Sequence, residues 1–451
     1  MHQENMSANF NNLTRNDVKR RRHLGEHLTS EGIFIQYILP EIIAYRDEYL
    51  WADLFCGEGS LILPILGTIP ERERESFFRN HIFMCDIQEE MVKRAVKRAV
   101  SYGIPEELAC ERIRINDSLR HFPAELTSVR TKVYHVTNPP YLYLGYIRKN
   151  SELSHYSDLF QGTGNGLQDL YQIAMSNDVR NDIRRMVYLV PTNFLFGKSV
   201  SERIRSYVLG NYSIEQATII ERKVFANTGT NILILFLRKA ETPVEKIEFR
   251  ALKISEKSRV GRYILRKEYR FSAGDAFDRY VEKNRQRNSP EVYFYLTRNE
   301  ILSNPGPNPV RIIDSKSYNS EGYSLFHLSV SKKMYERLKE NPLFVRTLDT
   351  GTSRGRAGLY EIEKVFGADG IMVEGSTYRT NPIHIFFNNI SSRPLALKIM
   401  NEFNRRLEEL REETDSEFMT TYKYSTSSYT RKYLGLNQVK SLMKTIDIGG
   451  L

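Results

Sequence analysis

The sequence predicts an α/β protein: a mostly parallel sheet with helices on both faces, followed by a C-terminal mixed α+β domain. Apolar strand-like runs alternate with stretches of helical periodicity from about residue 33 to residue 240. Four of those runs end in glycine, acidic or proline punctuation. Beyond about Ala240 the alternation gives way to short strand-like pieces and loops rich in Arg, Lys, Tyr and Ser. The 451 residues, 41% hydrophobic and 27% charged, suffice for two domains with ordinary cores. The expected division is an N-terminal arm over residues 1–21, an α/β domain over 22–240 and a second domain over 241–451.

The arm is Asn-rich, polar and aperiodic. Ile33 to Tyr45 has helical apolar spacing, and Pro40 must kink or divide that helix. YLWADLF reads as a buried strand, and GEGSLILPIL as a glycine turn opening into an apolar helix. A charged insertion, IPERERESFFRN, leads to a second strand, HIFMCD. EEMVKRAVKRAVSYG sets Met91, Val92, Ala95, Val96 and Ala99 on one helix face and ends at Gly103. Strands through ERIRIND and KVYHVT follow, the latter stopping at a proline pair. The pattern continues with a helix through LQDLYQIAMSNDV, a strand MVYLVP, a helix around Ser201 to Leu209 and a β pair, QATIIERKVF and NILILFLRK.

Lys and Arg exceed Asp and Glu by 65 to 55, a net charge of +10 that favours an anionic partner. The 27 Tyr and 23 Phe suit base stacking as well as core packing. Cys56, Cys85 and Cys110 are too few and scattered for a disulfide framework, and no Cys/His cluster has zinc-ligand spacing, so no metal and a reducing cytoplasm are expected. The N-terminus lacks an apolar signal region and the chain lacks an apolar run of about 18 residues, so neither secretion nor membrane insertion is expected.

Ligands of open parallel sheets bind beyond the carboxyl ends of the strands, which directs attention to four places. In Asp53-Leu54-Phe55-Cys56-Gly57-Glu58-Gly59-Ser60 the two glycines let backbone approach a ligand, or simply form a tight turn. Asp86 is placed to accept both hydroxyls of a ribose, or to cap a helix. Asn116-Asp117-Ser118 suits the amino group of an adenine ring, or an ordinary Asp-Ser turn. Asn138-Pro139-Pro140-Tyr141 is the strongest signal. Two prolines fix the backbone, remove two N–H donors and leave carbonyls beside an amide and an aromatic ring. That set suits an amino group held by the Asn138 side-chain oxygen and the Pro139 carbonyl, with Tyr141 stacked on the ring that bears it. No strong base is present, so catalysis would be positioning and electrostatics.

DLFCGEGS, the acid of MCD, the acid of IND and NPPY, in this order, resemble the S-adenosylmethionine-dependent amino-methyltransferases, specifically the adenine-N6 DNA methyltransferases. The resemblance spans roughly residues 22 to 240 and implies a Rossmann-like S-adenosylmethionine methyltransferase domain there, with a DNA target-recognition domain over 241–451. Gly25-Glu26-His27-Leu28-Thr29-Ser30 is similar to the family's methionine-side loop, in which a Thr contacts the cofactor; the usual Thr-Pro is Thr29-Ser30 here. The resemblance implies that Asp53, Gly57 and Gly59 line the methionine end of the cofactor, that Asp86 binds the ribose hydroxyls and that Asp117 binds the cofactor adenine. Phe55, Ile87, Ser118 and Asn138 complete the implied cofactor set. Asn138, Pro139, Pro140 and Tyr141 would hold the target base, and Phe225, otherwise ordinary strand core, would face the flipped adenine. Cys56 reads as a packing residue.

The partners implied are S-adenosylmethionine and double-stranded DNA. The chain is expected to be a monomer in a prokaryotic cytoplasm, acting as the modification enzyme of a restriction-modification system. No clustered carboxylates with a Lys suggest a nuclease centre, so a cognate restriction endonuclease would be a separate polypeptide. Arg354 and Arg356 in TSRGR, and Lys423 and Arg431 in the stretch 420–433, are the candidate DNA contacts, solvated surface loops being an almost equal account of each. The same tetrapeptide serves methyltransferases of RNA bases, acting on adenine or guanine amino groups, and of protein glutamines. The motif order and a C-terminal domain of about 200 residues favour duplex DNA. A non-enzymatic DNA-binding relic would be expected to have lost Asn138 or the glycines.

Overall fold

The structure is a computed structural model that describes residues 29–128, 132–198, 200–221, 231–255, 258–320, 322–350, 352, 355–375, 377, 380–421 and 431–450. The chain divides into two compact units, one reaching Ala273 and one starting at Gly274.

The first unit is built on a nine-stranded sheet in the order β3-β2-β1-β4-β5-β7-β6-β8-β9. Its strands are β1 (Leu50–Asp53), β2 (Ile82–Asp86), β3 (Ile113–Ile115), β4 (Val133–Thr137), β5 (Arg185–Pro191), β6 (Tyr212–Ile220), β7 (Ile232–Lys239), β8 (Lys246–Ile254) and β9 (Ser258–Arg266). The first five pair in parallel, and β7 runs antiparallel between β5 and β6. Every residue of β1, β2 and β4 is buried, as expected of central strands covered on both faces. The chain order reverses direction across β1 and β4, so the carboxyl ends of β1, β2 and β4 flank the switch point of the sheet.

Three local readings change. The helix begun at Glu31 is π-wound over Phe34–Ile38, resumes over Leu39–Ile42 and tightens to a 3-10 turn over Ile43–Tyr45, because Pro40 has no N–H to return to the preceding turn. The apolar stretch after the glycines forms turns and a 3-10 segment, Leu63–Thr68, with Pro64 in its first turn, rather than an α-helix. The charged insertion is itself a helix, Glu71–His81, which buries only Phe77 and Phe78 and so carries little apolar signal.

The expected domain boundary near Ala240 also moves, since β8 and β9 extend the sheet and the first unit runs to Ala273. At the sheet margin β8 buries Ile247, Phe249 and Ala251 while exposing Lys246, Glu248 and Arg250. That one-sided alternation reads as charged, unlike the continuous apolar runs of the centre.

The second unit is mixed α+β. It contains a four-stranded sheet made of β10 (Val292–Phe294), β13 (Leu343–Arg346), β15 (Gly358–Glu361) and β17 (Ile383–Phe387). A three-stranded sheet is centred on β11 (Pro305–Asn319), flanked by β12 (Gly322–Val330) and β16 (Gly370–Met372). Its main core joins the four-stranded sheet to the 22-residue helix Arg393–Thr414 through Ala396, Ile399, Phe403, Leu407 and Leu410. No helix among the described residues is long and apolar enough to cross a membrane.

Candidate active site

A pocket lies beyond the carboxyl ends of β1, β2, β3 and β4. Each of the four marked strand ends contributes to it: Asp53, Phe55 and Gly57; Asp86 and Ile87; Asp117 and Ser118; and Asn138, Pro139 and Pro140. Thr29 also lines it. Residues 85 positions apart in sequence meet here because parallel strands deliver all their carboxyl ends to one edge.

The glycine turn is fixed from two sides. Gly57 N–H donates to Asp86 Oδ2 at 2.8 Å, and Gln88 N–H donates to Asp86 Oδ1 at 2.9 Å. The Asp86 carboxylate is therefore held at the pocket edge by both of its oxygens. On the other side, Arg94 pairs with Glu58 at 2.6 Å, while Arg98 reaches Ser60 at 2.9 Å and also binds Glu31. Arg98 thereby ties the segment next to Thr29 to the glycine turn. Gly57 and Gly59 both take positive φ, 51° and 80°. Gly59 does not line the pocket. A Cβ there would stand 2.5 Å from Leu63 Cδ1, so this glycine serves the turn and its packing.

Asp53 is almost fully buried. Its Oδ1 accepts from the Thr137 hydroxyl at 2.7 Å and from Phe55 N–H at 3.1 Å. Burial pushes its pKa from 3.8 up to about 6, against the opposing effects of the Thr137 hydroxyl and the Phe55 amide. Asp117 Oδ1 accepts from Leu119 N–H at 3.2 Å, and its other oxygen pairs with Arg120 at 3.3 Å. Burial also raises the thiol of Cys56 well above its ordinary range, with Asp86 and Asp53 adding to the effect, so Cys56 is no nucleophile.

Asn138 leaves β4 with its side chain held at both ends. The amide nitrogen donates to Thr29 Oγ1 at 2.9 Å, and the amide oxygen accepts from the Tyr141 hydroxyl at 2.5 Å. That hydroxyl also lies 2.7 Å from the Leu189 carbonyl oxygen, a second acceptor for its single proton. Tyr141 does not line the pocket; its ring packs between the two core clusters of this unit and edge-on to Tyr171. Burial raises its hydroxyl pKa well above the ordinary value, with Asp169 and Tyr171 contributing.

Several contributors escaped the sequence reading. Tyr156 and Met91 supply apolar wall. Thr137, His135 and Asp178 form a polar set beneath the pocket floor, with all three side chains buried. Phe225, Arg354 and Lys423 lie outside the described residues. In the second unit Arg356 is bound to Glu408 at 2.6 Å and lies 3.9 Å from Asp349. Arg431 is half-buried, and its Nε is enclosed without a hydrogen-bond partner among the described residues.

The donor set fits S-adenosylmethionine. Four carboxylates line the pocket: Glu58 is paired with Arg94, and those of Asp53, Asp86 and Asp117 can meet an ammonium, a ribose diol and an adenine amino group, with polar and apolar side chains filling the remainder. A doubly covered α/β sheet with such a pocket beside an Asn-Pro-Pro-Tyr strand end defines the S-adenosylmethionine-dependent amino-methyltransferases. The chain belongs to the N-6 DNA methylase family, whose model matches residues 14–304. No curated protein matches the sequence. Among solved structures it is similar to the Type IIL restriction-modification enzyme MmeI in complex with DNA, at 12% identity and a TM-score of 0.49, over 85% of this chain and 65% of that one. The type I restriction-modification system methyltransferase subunit from Streptococcus thermophilus is 17% identical, with a TM-score of 0.37, over 50% and 47% of the two chains. The protein of the DrdV–DNA complex is 12% identical, with a TM-score of 0.39, over 53% and 29%. The chain thus spans between 29% and 65% of the length of these proteins.

Proposed function

We propose that the chain is a site-specific DNA methyltransferase that moves a methyl group from S-adenosylmethionine to N6 of an adenine flipped out of duplex DNA, as the modification enzyme of a restriction-modification system. The observation that carries this reading is the Asn138 amide, set on a proline-fixed strand end against the same pocket as the carboxylates of Asp53 and Asp86.

S-adenosylmethionine supplies an electrophilic methyl group on a sulfonium. Asp86 would accept the ribose hydroxyls, Asp117 the adenine amino group, and Asp53 would face the cationic methionine end together with Thr29, Phe55 and Gly57. The Asn138 oxygen and the Pro139 carbonyl would accept the two N–H bonds of the target amino group. That grip draws the nitrogen lone pair out of ring conjugation and aims it at the methyl carbon. The methyl carbon would bond to the amino nitrogen as its bond to sulfur breaks, and one N–H proton would leave to solvent. Before the base arrives, Asn138 Oδ1 is occupied by the Tyr141 hydroxyl. Turning that proton to Leu189 O frees the amide oxygen without stranding a buried donor.

Phe225 is assigned to stack on the extruded base, at about 1–3 kcal/mol. Tyr141, expected to do the same, has its ring packed between the core clusters and is assigned instead to hold Asn138 through its hydroxyl. The second unit is assigned to target recognition, with Arg354, Lys423 and Arg431 as candidate DNA contacts. Arg356 is a weaker candidate because Glu408 holds it. A monomer in the cytoplasm and a separate cognate endonuclease accompany this reading. Membership in a DNA methylase family favours DNA over the RNA alternative. The test is incubation of purified protein with labelled cofactor and unmethylated duplex DNA, RNA or a protein extract. Label is expected on adenine N6 of the duplex; label confined to RNA or protein would overturn the assignment.

A further inference from the structure

We infer that His135 is a positioning residue for the cofactor loop: its imidazole, oriented by Asp178, captures the Leu54 amide and sets the course of the backbone from Asp53 to Gly57. The inference rests on the reading of the pocket as an S-adenosylmethionine site.

The ladder between β1 and β4 runs Leu50↔Val133, Trp51↔Tyr134 and Ala52↔His135. Where β1 ends, Leu54 N–H donates to a side chain, His135 Nε2, at 3.2 Å. A ring nitrogen that accepts an amide hydrogen carries no proton of its own, so the ring proton sits on Nδ1. From there it is donated to Asp178 Oδ2 at 2.5 Å, and the same oxygen takes the Tyr188 hydroxyl at 2.6 Å. His135, Asp178 and Tyr188 are each no more than 1% exposed, so water does not substitute for these partners.

Residues 135 and 137 share one face of β4 by the two-residue period of a strand, and both reach the end of β1: His135 holds the Leu54 amide, and Thr137 holds the Asp53 carboxylate. The helix Leu170–Arg180, which carries Asp178, thus governs the departure angle of a loop it does not join in sequence. An apolar trio of similar volume would fill this space with no desolvation cost, but it would leave the Leu54 amide buried and unpaired.

The test compares His135→Ala with His135→Gln, whose side-chain oxygen can accept the Leu54 amide. Hydrogen–deuterium exchange of the peptide from Leu50 to Leu61 is expected to quicken in His135→Ala and to return toward wild type in His135→Gln. Affinity for S-adenosylmethionine, read by calorimetry, is expected to fall about tenfold in the first and recover in the second. Unchanged exchange and affinity in folded His135→Ala would overturn the assignment, as would failure of Gln to restore either. If His135→Ala does not fold, Asp178→Asn carries the same test, because it removes the carboxylate that orients the ring at constant volume, and unchanged exchange overturns the assignment. A wild-type protein that does not bind S-adenosylmethionine would instead refute the pocket reading, while the exchange data would still decide the role of His135.

Discussion

Replacing Asp53 with Asn separates the stability of the first unit from its capacity to hold a cation-bearing ligand. Burial lifts the Asp53 pKa from 3.8 to about 6, with Asp86 adding to the rise and the Thr137 hydroxyl and Phe55 amide opposing it. Because the folded value exceeds the unfolded one, the folded protein holds the proton more tightly. The contribution to stability is therefore greatest below pH 3.8 and declines as pH rises through 6. The full difference is worth about 3 kcal/mol at pH 8 and about 1 kcal/mol at pH 4.5. Asn keeps an oxygen for the Thr137 hydroxyl and the Phe55 amide and carries no charge. In the absence of ligand, Asp53→Asn is expected to be more stable than wild type by about 1–3 kcal/mol at pH 8, with a smaller advantage at pH 4.5. Urea unfolding at the two pH values measures this. Cofactor affinity should move the other way: wild-type binding strengthens as pH rises through about 6 and releases a proton, whereas the variant binds weakly and without that pH dependence. Calorimetry in buffers of differing ionisation enthalpy counts the proton. A variant that is equally or less stable than wild type at pH 8, or that binds S-adenosylmethionine as tightly, would refute the reasoning.

Asn138→Ala should abolish methyl transfer while calorimetric binding of S-adenosylmethionine survives; full activity would end the catalytic assignment. Asp86→Ala should weaken cofactor binding by about 1–3 kcal/mol, since it removes the carboxylate that also anchors the Gly57 and Gln88 amides, and a titration at fixed pH reads the loss. In the second unit, Asp349→Ala should cost about 1–3 kcal/mol in urea unfolding, because it removes one of the two carboxylates that pair with the buried Arg411 guanidinium, at 2.9 Å, and leaves Glu408 at 2.7 Å as the other; no measurable loss would contradict that account.

The central strands and the four marked strand ends were legible because parallel strands covered on both faces are unbroken apolar runs, and punctuation after them stands out. The margin of the sheet was not, because the exposed Lys246, Glu248 and Arg250 of β8 hide its buried face. Gly57 and Gly59 looked alike in sequence, yet only Gly57 meets the pocket, while Gly59 answers to Leu63 and Met84. The polar floor left no sequence signal either. A histidine within VYHVT and an aspartate within a helix, 43 positions apart, acquire meaning only when the fold brings them to 2.5 Å. Arg356 shows the same limit in reverse: TSRGR reads as a basic loop, and only the fold shows that Glu408, 52 positions away, pairs with Arg356.

On the proposed reading, the arrangement around Asn138 selects for the functional group of the base as well as its position. Thr29 and Tyr141 both present hydroxyls, and a hydroxyl can donate or accept, so neither fixes the amide alone. With the Tyr141 proton turned to Leu189, the reversed amide could accept from Thr29 and donate to the phenol oxygen, leaving the network satisfied in either sense. Pro139 breaks this ambiguity: its carbonyl sits in a backbone fixed by the ring of Pro140 and can only accept. A base that presents an amino group satisfies both the Pro139 carbonyl and the Asn138 oxygen. One that presents a ring carbonyl could recruit the amide nitrogen by a flip but would still set two oxygens against each other at Pro139. A buried acceptor pair without a donor costs about 1–3 kcal/mol. Discrimination of amino from oxo bases therefore depends on the rigid carbonyl of Pro139, and Asn138 contributes the grip that makes the selected nitrogen reactive.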